Sequence, residues 1–383
     1  MKTMMQRLAV VMALCVCMVV VAGCSKREKI LSPPQEEVTI GAILPITGPA
    51  SVLGEFVRNG IIVAAEEINA QGGINGRPLR VIIEDSKNDP KEAISAYRKL
   101  VASERVSAVI SSMSGVSSAL VPLAESDRKI LFATTVSASK FAAKSPWVFR
   151  LFISADIDAA TAARFAHQKL NAKTAAILHV EDDMGKSFAS VFETTFSAVG
   201  GSIAITEAFS ATTMDFRNVA AKLIGLRVDL LYLVGYDKNL GILIKQLRES
   251  GVTMPVLSIA TVGEPYVIQQ AGTAAEGIYF TSTQYDPQNP RNDIVRKFVS
   301  KSEALTGKTP NYFAAFAHDS LVALCSALRT VTDPTDSESV RVALTEIPPL
   351  DGVVGTVSFD VDGDAFFPMI VKQIKNGRPV DIQ

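Results

Sequence analysis

The sequence predicts an α/β protein built as two doubly wound parallel-sheet lobes joined by a three-segment hinge. Three observations carry this reading. Short β-rich runs alternate with amphipathic helical stripes, the pattern of parallel sheets covered on both faces. The alternation runs once over residues 38–133 and again over residues 159–259. The chain has 383 residues, more than one hydrophobic core usually holds.

The elements follow in order. Residues 38–44 (VTIGAIL) read as a buried strand that Gly48-Pro49 ends. Residues 53–70 carry a helical stripe of Phe56, Val57, Ile61, Ala64, Ala65 and Ile68, stopped by Gly72-Gly73. A strand at 79–84, a helix at 90–103, a strand at 106–110, a helix from about Ser117 and a strand at 130–133 complete the first run. The junction falls near 149–158. The second run has helices at 159–170, 185–199, 216–226 and 240–250, interleaved with strands at 174–179, 202–209, 230–234 and 255–259. The tail has a strand at 277–281, helices at 292–306 and 312–330, and a terminal pair of strands at 355–359 and 368–374 turned by Asp362-Gly363. Crossing back of this tail divides the chain into one lobe of residues 38–157 and 285–364 and a second of 158–284 and 365–383.

The first residues set the compartment. Lys2 and Arg7 precede an apolar run over residues 8–22, and small residues precede Cys24. This is the layout of a secretory signal peptide, residues 1–23, too short to span a bilayer comfortably. Val21-Ala22-Gly23-Cys24 resembles the bacterial lipobox, which implies cleavage before Cys24 and lipidation of its sulfur. Residues 24–37, polar and with Pro33-Pro34, then read as a tether. The expected place is the periplasmic side of a bacterial membrane, and Ser25 favours the outer membrane where there are two. Cys15 and Cys17 leave with the signal and Cys325 stands alone in an apolar stripe, so no intrachain disulfide is expected. With 38 basic and 39 acidic residues and no basic stripe, the chain has no nucleic-acid signature.

In open parallel sheets ligands bind outside the carboxyl ends of the strands. The residues past the first run's strands are rich in Gly, Ser and Thr: 45–48, 111–115 and 134–139. Helix-start N–H groups beside hydroxyls suit a carboxylate or another small anion. The second run offers 181–185, 235–237 and 260–261.

Several segments carry a family resemblance. Gly41 through Pro49 (GAILPITGP), Asn59-Gly60, Gly72 through Leu79 (GGINGRPL), Asp85 through Pro90, Ala108-Val109-Ile110, Pro122-Leu123-Ala124 and Gly272 through Gly277 resemble the branched-chain amino-acid-binding (Leu/Ile/Val-binding) family of ABC-importer periplasmic solute-binding proteins, here in lipoprotein form. The resemblance extends over nearly all of residues 38–375. It implies a type I periplasmic binding protein that closes on a small-molecule ligand and delivers it to ABC permease and ATPase subunits. It also implies that two serines after the third strand hold the ligand carboxylate; here the pair is Ser114-Gly115, with one hydroxyl and one bare N–H. The next loop's counterparts are Ser137 and Ser139, within one residue of register.

The departures from the family pattern are specific. Leu53 stands before Gly54, and Met184 before Gly185, where the family places aromatics. No acid stands at Ala260-Thr261, where the family's partner for an ammonium group falls. Glu264 and Asp237 are the candidate substitutes; without them the site grips a carboxylate and leaves an ammonium unpaired, a costly arrangement when buried. An aromatic or aliphatic acid then fits, with Tyr236 and Tyr285 as aromatic walls.

Enzymatic readings find little support. Ser137-Ala138-Ser139-Lys140 matches an S-x-x-K pattern, but neither S-D-N nor K-T-G accompanies it. His167, His179 and His318 are not spaced as metal ligands, and G-x-S-x-G and P-loop patterns are absent. No enzyme activity, cofactor or metal is expected. A ligand-sensing receptor on the same scaffold, signalling to a membrane partner, is the alternative to transport.

Overall fold

The computed structural model describes residues 36–366 and 369–382, except the side chains of Asp237 and Lys238. The expected signal peptide, Cys24 and the expected tether up to residue 35 lie outside the described residues.

The first sheet has five parallel strands, β1 (Val38–Leu44), β2 (Leu79–Asp85), β3 (Ala108–Ser111), β4 (Ile130–Thr134) and β5 (Val148–Leu151). Their order is β2-β1-β3-β4-β5. Strands β3, β4 and β5 are buried throughout, which is why β3 and β4 read as apolar runs without alternation. Helices α1 (Ser51–Ala70), α2 (Pro90–Ala102) and α3 (Ser114–Asp127) connect them. Helix α2 starts where its sequence says it should: Asp89 accepts from the N–H groups of Lys91 and Glu92, and Pro90 occupies the first turn.

The second sheet repeats the plan. Strands β6 (Thr174–Val180), β7 (Ser202–Phe209), β8 (Leu230–Val234), β9 (Val256–Ser258) and β10 (Tyr279–Ser282) are parallel. Two antiparallel strands, β14 (Ile370–Lys375) and β15 (Arg378–Asp381), extend it to the order β15-β14-β10-β9-β8-β6-β7. Its helices are α4 (Ala155–Gln168), α5 (Asp183–Ala198), α6 (Arg217–Ile224), α7 (Asp237–Glu249) and α8 (Pro265–Ala271). Helix α9 (Asp293–Thr306) packs on α1, as does α10 (Tyr312–Thr330), which also reaches β4 and β5. Gly60 permits the α1–α10 approach, since a Cβ there would lie 2.1 Å from the Ala314 carbonyl oxygen. The chain thus passes between the sheets three times: after β5, after β10 and after the small sheet described next.

The structure differs from the sequence reading in several places, among them helix α8 and strand β15, which were not anticipated. A fifth strand, β5, occupies part of the expected junction; its apolar run is only four residues long and contains Arg150. Helix α11 (Ser337–Thr345) was not anticipated, because only Val340 and Leu344 mark its buried face. The terminal pair is not a pair. Asp362-Gly363 does turn β12 (Gly355–Phe359), but into the two-residue β13 (Ala365–Phe366), and both join β11 (Leu350–Gly352) in a separate three-stranded sheet. Strand β14 instead pairs with β10 and β15.

Candidate functional site

In each large sheet the strand order reverses beside the first strand, between β1 and β3 and between β6 and β8. Ligands of open α/β sheets bind at such switch points, outside the carboxyl ends of the strands. A cavity of about 320 Å³ lies there, lined by loops from both sheets and by the start of α10. That volume suits a small molecule.

The wall from the first sheet is built around the start of α3. Met113 leads into it with φ 72° and ψ 129°, a backbone conformation that L residues rarely adopt. The sharp turn makes Ser114 and Gly115 the first two helical residues, whose N–H groups have no partner within the helix. Both line the cavity, and a Cβ at Gly115 would meet nothing within 4 Å. The Ser114 hydroxyl oxygen accepts from the N–H groups of Ser137 and Ala138, at 3.2 Å each. Its own proton stays available to an acceptor. Arg150, fully buried, locks the same loop from behind: it donates to the carbonyls of Val136 (3.3 Å) and Ala138 (2.6 Å) and forks onto Asp364 at 2.6 and 2.7 Å.

The wall from the second sheet is more acidic. Asp182 caps α5, accepting from the Gly185 N–H and the Tyr236 hydroxyl at 2.8 Å each. Burial raises its pKa against the pull of those two donors. Asp158, in the first turn of α4, is 2% exposed, lines the cavity and accepts a hydrogen bond from the Thr281 hydroxyl. Burial lifts its carboxyl to about 7, with the Thr281 bond opposing. Phe152 stacks against Tyr312 and Phe313, with ring centroids 6.2 Å apart in each pair, and all three line the cavity.

Of the residues singled out from sequence, Leu53, Ser114, Gly115, Ser137, Met184, Tyr236 and Thr261 line this one cavity. Thr261 gives its hydroxyl proton to the Gly235 carbonyl at 2.6 Å. Ser139 does not line it; its hydroxyl donates to Asp156 at 2.5 Å. Tyr285 is buried away from it, donating to the Pro310 carbonyl at 3.0 Å. Glu264 is also outside the lining and accepts from the Asn311 side chain at 2.7 Å. The side chain of Asp237, at the start of α7, lies outside what is described. The sequence reading missed Asp158, Arg150 and the Phe152–Tyr312–Phe313 wall. Asp158 had one local signal, the Ser154 cap that starts α4 four residues earlier than its apolar stripe. Among the described residues no group of three or more His, Cys, Asp or Glu side chains could hold a metal ion.

The periplasmic binding protein family model matches residues 37–379. The chain belongs to that family. Its members are substrate-binding proteins and not enzymes, and the two-sheet fold described above is the type I form. The chain is 25% identical over 335 residues to a leucine-, isoleucine-, valine-, threonine- and alanine-binding protein of Pseudomonas aeruginosa, covering 86% of this chain and 87% of that one. Among solved structures, the leucine-binding protein LivK of Thermotoga maritima superposes with a TM-score of 0.83 at 26% identity, covering 90% of this chain and 98% of that one. A solute-binding protein of an ABC transporter from R. palustris, solved with benzoate, superposes with a TM-score of 0.81. At 22% identity, with 91% and 96% of the two chains covered, that likeness bears on the fold alone. Among the described residues of this family member, no helix is long and apolar enough to cross a membrane.

Proposed function

We propose that this chain is a lipid-anchored, extracytoplasmic solute-binding protein that captures a small carboxylate-bearing ligand between its lobes and delivers it to an ABC importer. The ligand is an amino acid or a related organic acid or amide. The observation that carries the reading is the donor set at the first switch point: two free helix-start N–H groups and the Ser114 and Ser137 hydroxyls, all on one cavity wall. The relatives' names support the ligand class. The lobes we propose are residues 38–157 with 285–364 and 158–284 with 365–383. A ligand touching both ties them together, and closure follows from its better fit to the closed form. The Val21-Ala22-Gly23-Cys24 run supports anchoring through Cys24, and a tether raises the local concentration of the protein at its permease.

A thermal-shift screen with amino acids, amides and aromatic acids tests capture. A ligand at a hundred times its Kd stabilises by about 2.7 kcal/mol, a shift of a few degrees at this size. Ser114→Ala should weaken the best carboxylate ligand by roughly tenfold, the loss of one hydrogen bond to a charged group. Unchanged affinity would remove the carboxylate wall from the proposal. Radiolabelled fatty acid should enter the wild-type chain in cells and not Cys24→Ala.

A further inference from the structure

We infer that Arg150 is a positioning residue for ligand binding: with Asp364 it sets the hydrogen-bond polarity of the Ser114 hydroxyl, so that this group can only donate to a ligand. The inference rests on the carboxylate reading above and adds to it the device that makes the wall selective for acceptors.

The Ser114 oxygen is the first argument. A serine hydroxyl has two acceptor lone pairs and one proton. The N–H groups of Ser137 and Ala138 both donate to this one, at 3.2 Å each. With both lone pairs taken, only the proton is left to the cavity that Ser114 lines. A carboxylate receives that proton, whereas a group that offers only donors leaves it unpaired.

The aim of the two N–H groups is the second. In a planar trans peptide the C=O and N–H point in opposite directions. The Ser137 N–H shares its peptide with the Val136 carbonyl, which accepts from Arg150 Nη1 at 3.3 Å. The Ala138 N–H shares its peptide with the Ser137 carbonyl, which accepts at 2.8 Å from the Ala155 N–H at the start of α4. Each peptide is gripped at its oxygen and presents its N–H to Ser114. The same Nη1 donates to the Ala138 carbonyl at 2.6 Å, so one nitrogen holds the loop on either side of Ser137.

Asp364 is the third. Arg150 Nε and Nη2 fork onto its carboxylate at 2.6 and 2.7 Å, and the Arg150 N–H donates to the Gly363 carbonyl at 2.8 Å. The Asp360 carboxylate accepts from the Asp362 and Asp364 N–H groups at 2.9 Å each, which fixes the turn that carries Asp364. The Arg150 side chain is 1% exposed and stays charged, because a guanidinium does not lose its proton in a protein. Among the described residues, Asp364 is the acid ion-paired with it. Without that charge the guanidinium is a buried cation with no counter-charge, and it must turn toward water and away from the two carbonyls. Neither Arg150 nor Asp364 lines the cavity, so both act through Ser114.

Titration calorimetry on the mature chain tests this, with L-leucine, L-phenylalanine and 3-phenylpropanoate as probes, below the melting range of every variant. Arg150→Lys and Asp364→Asn should each weaken the tightest probe at least fivefold. In a Ser114→Ala background each should change affinity by less than a further twofold, because its effect passes through that hydroxyl. Leu100→Ala, a destabilising change at a buried residue of α2 outside the cavity lining, should leave the affinity within twofold of the wild type. Full additivity with Ser114→Ala, or wild-type affinity in both fork variants, would overturn the Arg150 assignment and leave the carboxylate reading standing. Wild-type affinity in Ser114→Ala, or binding of no probe, would overturn both. Should neither fork variant fold, amide exchange decides: the Ser137 and Ala138 N–H groups should exchange at least tenfold faster in Ser114→Ala than in the wild type, and equal rates would overturn the assignment.

Discussion

At the scale of single residues, Arg150 shows how much of a binding site can depend on a group that never touches the cavity. Its guanidinium is completely buried, forks onto Asp364 and holds the carbonyls of Val136 and Ala138. Those carbonyls flank Ser137, whose N–H is received by Ser114. The planar fork serves three acceptors at once, a geometry that lysine cannot reproduce. Arg150→Met should therefore cost about 3–5 kcal/mol, because Asp364 loses its partner while remaining mostly out of water. Denaturant unfolding would read this loss. Arg150→Lys should recover less than half of it, and a full recovery would show that charge alone, without the fork, holds the loop.

At the scale of elements, each large sheet seats the helix that follows its first strand through a glycine. A Cβ at Gly54 would lie 1.9 Å from the Pro45 carbonyl oxygen, and one at Gly185 would lie 1.9 Å from that of Val180. The residue before each glycine, Leu53 or Met184, lines the cavity. Gly54→Ala must push α1 away from β1. The expected result is a loss of about 1–3 kcal/mol together with weaker ligand binding, since Leu53 moves with the helix. A normal melting temperature would mean that Pro45 yields instead. The alternation of buried strands and helices was legible in the sequence because it is a local pattern; the pairing of glycine and cavity residue was legible only through the family resemblance. What was not legible depends on partners distant in the chain. Strand β14 looks like the second arm of a hairpin until β10 competes for it. Ser139 and Ser137 are equivalent in a loop until Asp156 takes the hydroxyl of one. Asp158 is an ordinary helix-start acid until packing against β10 buries it.

At the scale of the whole molecule, three buried groups give stability a common pH slope. Burial raises Glu264 to about 8, with the Asn311 bond opposing, and Asp158 to about 7. An unfolded chain ionises both near pH 4, so the folded state holds extra protons above that and loses stability as pH rises from about 4 through 7 to 8. His318 has the same sign. Burial lowers its pKa, but Asp319 at 2.9 Å and Glu67 at 3.0 Å more than offset this and lift it to about 9. Its contribution is complete below about pH 6.5 and is lost as pH rises through 9. Glu264 is the group to isolate, because its partner Asn311 caps α10 on the first sheet whereas Glu264 itself precedes α8 on the second. Glu264→Gln keeps an acceptor for Asn311 and removes the titration. The variant should match the wild type near pH 5 and exceed it by about 2–4 kcal/mol at pH 9. Melting curves of the two proteins from pH 5 to 9 should diverge upward with pH, and parallel curves would show that Glu264 ionises in the folded protein as readily as in water.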